Sequence, residues 1–206
     1  MSALLWISKY ICRTMRFTIL KITVIFFVLT SCFSEEKSEI PKPKGYYRIT
    51  FPERSYKSYD DSCHFTFEYP QYSQIVFKGD NAKKCWPEIY FPQFKASLYL
   101  SYRPVNQDLS QLAEDSHTLT YKHTVRANGI TEASLVLPEQ KVFGTVYELG
   151  GNAASAIQFH LTDSTNHFLR GSLYFYASPN ADSLQPVVDF LRADLDHFFK
   201  SFRWKN

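Results

Sequence analysis

The sequence predicts an α+β domain with a mostly antiparallel sheet and two main helices. Three observations lead there. Short runs alternate apolar and polar residues with the period of two that half-buried strands show. Two longer stretches carry apolar residues at helical spacing. The strand runs follow one another without the strand–helix–strand rhythm of a parallel sheet, and no GxGxxG turn is present. The 206 residues are 45% hydrophobic and 17% aromatic, enough for one core and unlike a disordered or collagen-like chain.

The first segment is an address. From Met15, the expected start, the chain reads MRFTILK, then an apolar run from Ile22 to Leu29, then Leu29-Thr30-Ser31-Cys32. A basic end, a short apolar stretch and small residues before a cysteine make a secretory signal with a lipobox. The run is too short to span a bilayer as a helix. Residues 1–31 are therefore expected to be removed, leaving Cys32 as the lipidated first residue of the mature protein. Several acyl chains, palmitate among them, would hold it on the bilayer, since each buried methylene contributes about 0.8 kcal/mol. An ordinary signal peptide or a short membrane helix is the plainer alternative. Residues 32–45 are polar, with Pro41 and Pro43, and read as a flexible tether. Phe33, not Asp, follows Cys32, which favours the outer membrane facing the periplasm. Ser34-Glu35-Glu36 resembles the acidic export tags of surface lipoproteins, so surface display stands as the other option.

Charge excludes one class of function. The formal net charge is +3, from 23 Lys and Arg against 20 Asp and Glu. Residues 1–31 hold Lys9, Arg13, Arg16 and Lys21 and no acid, so 19 bases face 20 acids over residues 32–206. A body at −1 without a basic cluster does not suit nucleic acid, whose binding rests on phosphate neutralisation.

Residues 46–206 read as one globular domain. Tyr47 to Phe51 alternates and stops at Pro52; Cys63 to Tyr69 alternates and stops at Pro70; Lys95 to Tyr102 places Ala96, Leu98, Leu100 and Tyr102 on one side. Asp108 with Gln111 three residues on has the capping-box pattern and opens a helix. Its stripe is Leu109, Leu112, Ala113, Ser116, Leu119 and His123, and Asn128-Gly129 is expected to end it. Three strands follow, Thr131 to Leu137, Val142 to Leu149 and Ala156 to Thr162. The last turns at Asp163 to Asn166 into His167 to Ala177. Ser183 to Phe202 closes the chain as a strongly amphipathic helix, with Ser183 as the expected N-cap and Pro186 in the first turn. The opening Tyr-x-Ile-x-Phe-Pro and this closing helix are weakly similar to the PsbP/Mog1 fold.

Cys63 and Cys85 remain once Cys32 is acylated and Cys12 lies before the mature chain. An oxidising compartment makes a disulfide the simplest assignment, worth roughly 3 kcal/mol by loop entropy. Two buried free thiols are the alternative. Zinc finds no second ligand at suitable spacing.

Candidate chemistry concentrates between Gly150 and His167. If Thr162 pairs with His167, then His160 and His167 are diagonal neighbours on one face, roughly 7–8 Å apart, and Asp163 would complete a two-His, one-carboxylate metal site. Asp163 serves the turn better, however. Ser155 beside Gly150-Gly151-Asn152 invites a hydrolase reading with His160 as base, yet no Gly-x-Ser-x-Gly elbow is present. His117 and His123 are too far apart around a helix to share a ligand. Tyr174-Phe175-Tyr176 either lines a pocket or packs the two faces of a sheet. The sequence thus gives no catalytic residue, metal or cofactor site.

One long string of residues is more specific. Tyr147 to Ser155 (YELGGNAAS), Gln158-Phe159, Thr162 to Thr165, His167-Phe168 and Gly171 to Tyr176 (GSLYFY) resemble the gliding-motility lipoproteins of the GldD family. Pro41 to Lys44, Cys63, Lys83 to Trp86, Tyr102 to Asn106, Leu119 to His123 and Pro179-Asn180 extend the similarity over most of residues 41–206. The resemblance implies a Bacteroidetes envelope lipoprotein needed for gliding and, through it, for type IX secretion. It brings no catalytic residues. The expected role is a non-enzymatic accessory protein whose partners are the bilayer, through Cys32, and other envelope proteins of the gliding and secretion apparatus. The expected docking patch comprises Gly151, Asn152, Ser155, His160, Asp163, His167, Tyr174 and Tyr176. A periplasmic ligand-binding or hydrolytic lipoprotein using Gly150 to His167 is the alternative.

Overall fold

A computed structural model describes residues 48–122, 127–177 and 180–205. The chain divides into two units, Met1–Gly45 and Tyr46–Asn206, and the described residues all belong to the second. Cys32, the signal segment, the tether and His123 lie outside them.

Among the described residues the fold is α+β, with two antiparallel sheets and two α-helices. A small sheet has the order β1-β2-β10, formed by Tyr56–Asp60, Phe65–Pro70 and Arg203–Trp204. A seven-stranded sheet has the order β3-β4-β5-β9-β8-β7-β6. Its strands are Gln74–Val76 (β3), Glu88–Phe91 (β4), Ala96–Pro104 (β5), Ala127–Leu137 (β6), Val142–Gly151 (β7), Ser155–Thr162 (β8) and His167–Phe175 (β9). Helix α1 is Leu109–Tyr121 and α2 is Ala181–Ser201.

Alternation assigns the two faces of the large sheet. Ala96, Leu98 and Leu100 of β5, Leu169 and Leu173 of β9, and Ile157, Phe159 and Leu161 of β8 are buried on one face. The stripe of α2 covers it: Val187, Val188, Leu191, Leu195, Phe198 and Phe199 are all buried. Phe159 meets Phe199 edge-on at 4.9 Å, and Phe198 lies 4.9 Å from Phe67 of β2. The ring of Phe159 reaches across Gly171 of the neighbouring strand, where an added Cβ would sit 2.1 Å from its Cζ. The opposite face is polar, with Ser97, Gln158, His160, Thr162 and Ser172 buried on it, and α1 packs there over β8 and β9.

Cys63 and Cys85 are joined by a disulfide with their Cα atoms 5.5 Å apart. It ties the loop before β2 to the loop before β4. A second fastening is a buried carboxylate. Asp194 of α2 accepts from the hydroxyls of Tyr56 (2.8 Å) and Tyr72 and lies 3.4 Å from Arg54 Nε. Burial, then the bond to Asp194, pushes the Tyr56 phenol up to about 12. It stays a neutral donor.

Several expectations need correction. Arg48 to Phe51 form no strand; Ile49 and Phe51 pack against the core from an irregular segment, with Phe51 stacked 4.4 Å from Phe190. The first strand is β1, which exposes most of its residues and buries only Tyr59. The capping box does not form. Asp108 Oδ1 accepts from the Asn106 backbone, and Gln111 Nε2 donates to Asp115 one turn further on. The inward positions of α1 are Leu112, Ser116 and Thr120, while Leu119 is exposed. Asn128-Gly129 does not end the helix; it sits inside β6, at a register shift opposite Gly150 and Gly151. Helix α2 starts before Ser183, with Asn180 as N-cap accepting from the Ser183 N–H. Pro186 consequently falls in the second turn, where its missing N–H removes one intrahelical bond.

Gly171→Ala should lower stability by about 1–3 kcal/mol, the usual cost of overpacking. Gly129→Ala, where an added Cβ meets nothing within 4 Å, should change it by less than about 0.5 kcal/mol. Urea unfolding of the two variants measures the difference, and equal effects would show that Phe159 does not depend on the glycine.

Candidate functional site

The hairpin of β8 and β9 carries most of the sequence-derived candidates, and its register decides what they can do. Thr162 pairs with Phe168 and His160 with Arg170, one residue off the register in which Thr162 would face His167. A slip of one moves every side chain to the opposite face. His160 and His167 therefore lie on opposite faces and share no ligand. His160 is buried beneath α1, stacked 5.5 Å from Phe168. His167 points to the α2 side, where Nδ1 is 2.8 Å from the Tyr102 hydroxyl and the ring stacks 5.1 Å from Trp204. Asp163 is taken up by the turn: its Oδ1 accepts from the backbone N–H groups of Thr165, Asn166 and His167 at 2.8–3.0 Å. Burial alone would raise its pKa, but these donors hold the carboxyl below its usual value. Among the described residues no group of three or more His, Cys, Asp or Glu is arranged to hold a metal.

Ser155 is fully buried, and its hydroxyl donates to the Leu173 carbonyl at 2.9 Å. Its role is to satisfy backbone at the β8 register shift. Ser155 and His160 thus make no nucleophile–base pair of the kind acyl transfer needs.

The eight-residue docking patch does not exist as one surface. Ser155 and His160 are interior, and β8 separates the rest by roughly 20 Å, at about 3.3 Å per residue. Asp163 and His167 occupy one end of the hairpin. At the other end, Gly151 has φ +78°, with the Asn128 side chain where a Cβ would be. Asn152 Oδ1 accepts from the Ala181 N–H at the start of α2. Beside them runs a groove of about 360 Å³ walled by Leu184, Val188 and the Arg192–Glu148 ion pair. Tyr174 and Tyr176 are near that end on the polar face of the large sheet. Tyr176 is half exposed and bonds Glu88 Oε1 at 3.0 Å, and Tyr174 meets Tyr99 edge-on at 5.9 Å. Glu88 is buried, yet Lys78 at 2.7 Å, Ser97 and Tyr176 outweigh that burial and keep its carboxyl ionised below the usual range.

Sequence reasoning missed two buried charges, Asp194 and Glu88, and the part-buried Arg170. Asp194 interrupts the apolar stripe of α2 between Leu191 and Leu195, and that position was its only signal. Glu88 and Arg170 stand in alternation with apolar residues, as any solvent-facing residue of a half-buried strand would.

The sequence profile of the family described as gliding motility lipoprotein GldD matches residues 36–204. The chain belongs to the GldD family. The match covers all but the last of the described residues, so the fold above is that of a GldD lipoprotein. Membership makes this a membrane-anchored lipoprotein of the cell envelope associated with gliding motility. A comparison with curated proteins finds no match. No helix among the described residues is long and apolar enough to cross a membrane.

Both hairpin histidines are held below the ordinary value of 6.5. For His160 the causes are burial and then the Arg170 charge; for His167 they are burial, opposed by Asp163, and then His64. Because the folded pKa is depressed, the stability these groups confer is complete above about 6.5 and is lost as pH falls below it. The urea midpoint should therefore drop as the pH falls below about 6.5. His160→Leu should flatten that drop, and an unchanged slope in the variant would remove His160 as its source.

Proposed function

We propose that this chain is a non-enzymatic accessory component of the gliding apparatus and the linked type IX secretion machinery. It is held by acylated Cys32 on the outer membrane, facing the periplasm. The observation that carries the reading is the GldD match over residues 36–204, preceded by Leu29-Thr30-Ser31-Cys32 with its lipobox pattern. The geometry of the hairpin supports docking over hydrolysis, because the Ser155 hydroxyl is bonded to backbone and His160 is enclosed between Phe168 and Tyr147. The docking surface we favour is the end of the large sheet where Gly151, Asn152, Tyr174 and Tyr176 lie. Its partner is another envelope protein of the apparatus.

Deleting the gene should abolish colony spreading and the release of type IX cargo, and the chain begun at Met15 should restore both. Cys32→Ala should fail to restore them although the protein accumulates. Ser155→Ala should restore them fully if it accumulates normally. Normal secretion and spreading in the deletion strain would overturn the proposal. Loss of function in accumulated Ser155→Ala would favour the hydrolytic reading instead.

A further inference from the structure

The polar side of the large sheet holds an arginine without an acid. Arg170 of β9 lies under α1, and its one hydrogen bond among the described residues runs from Nη2 to Gln158 Oε1. No Asp or Glu there is within ion-pair distance of it, and its Nε is buried with no partner. Arg170 is part-buried, and a charge drawn out of water normally comes with a counter-ion, because an uncompensated one is destabilising. Asp194 and Glu88 in this domain obey that rule. Burial accordingly pulls the Arg170 pKa down.

The atoms around it are unsatisfied too. Ser116 Oγ on α1, Ser172 Oγ on β9 and Gln158 Nε2 on β8 are buried and have no hydrogen-bond partner. Ser116 and Ser172 are only 2% and 3% exposed. Native proteins leave few such groups, and of these residues Ser116 shares the lining of one cleft with Arg170. A cleft of about 550 Å³ opens between α1 and the β5–β9 pair, lined by Arg170, Arg103, Lys122, Ser101, Ser116 and Trp86. That volume is in the range of small-molecule sites. The cleft carries three bases, although residues 32–206 are slightly acidic as a whole. Asp115 is the acid on its lining, at the exposed rim, and its Oδ1 is engaged by Gln111 at 2.8 Å. Trp86 forms a fixed wall: its Nε1 donates to the Tyr102 carbonyl at 2.7 Å, and the neighbouring Cys85 is in the disulfide.

We propose that this cleft binds an anionic oxyacid group, a phosphate carried on a flat apolar body, with Arg170 as its part-buried counter-ion. Ser116, Arg103 and Lys122 complete the donor set, and Trp86 stacks against the body. A soluble phosphate ester and a lipid headgroup share this chemistry. The inference does not rest on the motility reading, and either can fail alone.

The test uses the full lipoprotein reconstituted in phosphatidylcholine vesicles and titrated calorimetrically with phenyl phosphate at constant ionic strength. Saturable binding at one site per chain is expected. Arg170→Met should weaken it at least about tenfold, as loss of a charge-assisted hydrogen bond does. If that variant does not fold, the exposed pair Arg103→Ala with Lys122→Ala supplies the same test with a loss of about threefold or more. Replacing part of the phosphatidylcholine by phosphatidylglycerol separates the sources. Competition with phenyl phosphate would assign a headgroup, and its absence a soluble ester. No saturable binding to the parent, or unchanged affinity in the variants, would overturn the proposal and leave the cleft to water.

Discussion

Phe198 of α2 is the point at which the two sheets meet. Its ring is 5.8 Å from Phe159 of the large sheet, 4.9 Å from Phe67 of the small one and 5.6 Å from Phe202. Burying such a ring is worth about 1.5–3 kcal/mol, and here one burial holds three layers. Because Phe159 can reach α2 only by crossing β9 at Gly171, a residue with no side chain sets the spacing of the whole assembly. The fastening by Asp194 acts on the same helix. It fixes Arg54, β1 and the Tyr72 turn to α2 one turn before Phe198, on the same face of the helix.

The two faces of the large sheet solve opposite problems. The α2 face is apolar, and close packing determines it. The α1 face is a layer of hydroxyls, amides and charges, where each buried group needs a partner. Glu88 is satisfied by Lys78, Ser97 and Tyr176. Arg170 differs from Glu88 in its partner: among the described residues it has the neutral Gln158 amide where Glu88 has the Lys78 charge.

Long, strongly periodic elements were legible in the sequence. The α2 stripe from Val187 to Phe199, the β5 alternation and the turn at Asp163 to Asn166 all follow from side-chain spacing. Short, exposed strands were not: β1 buries one residue and β3 has three residues in all, too few for a period to register. Pairing register was also illegible, because Thr162 opposite Phe168 and Thr162 opposite His167 leave the same alternation within each strand. That single residue separated a two-histidine site from two unrelated histidines. Arg170 stayed hidden for a different reason. What singles it out is the absence of an ion-paired carboxylate among the described residues, a property of three-dimensional neighbours that no local pattern encodes.

The position of α2 after every strand of the large sheet bears on when the core can close. Tyr56 and Asp194 are 138 residues apart, and Glu68 and His197 are 129 apart. Contacts this distant in sequence close late, after most of the loop entropy has been lost. Until α2 is made, the strands of the large sheet lack the helix that covers their apolar face. The core between the two sheets can therefore close only when nearly the whole domain is present, with Cys63 and Cys85 already within it.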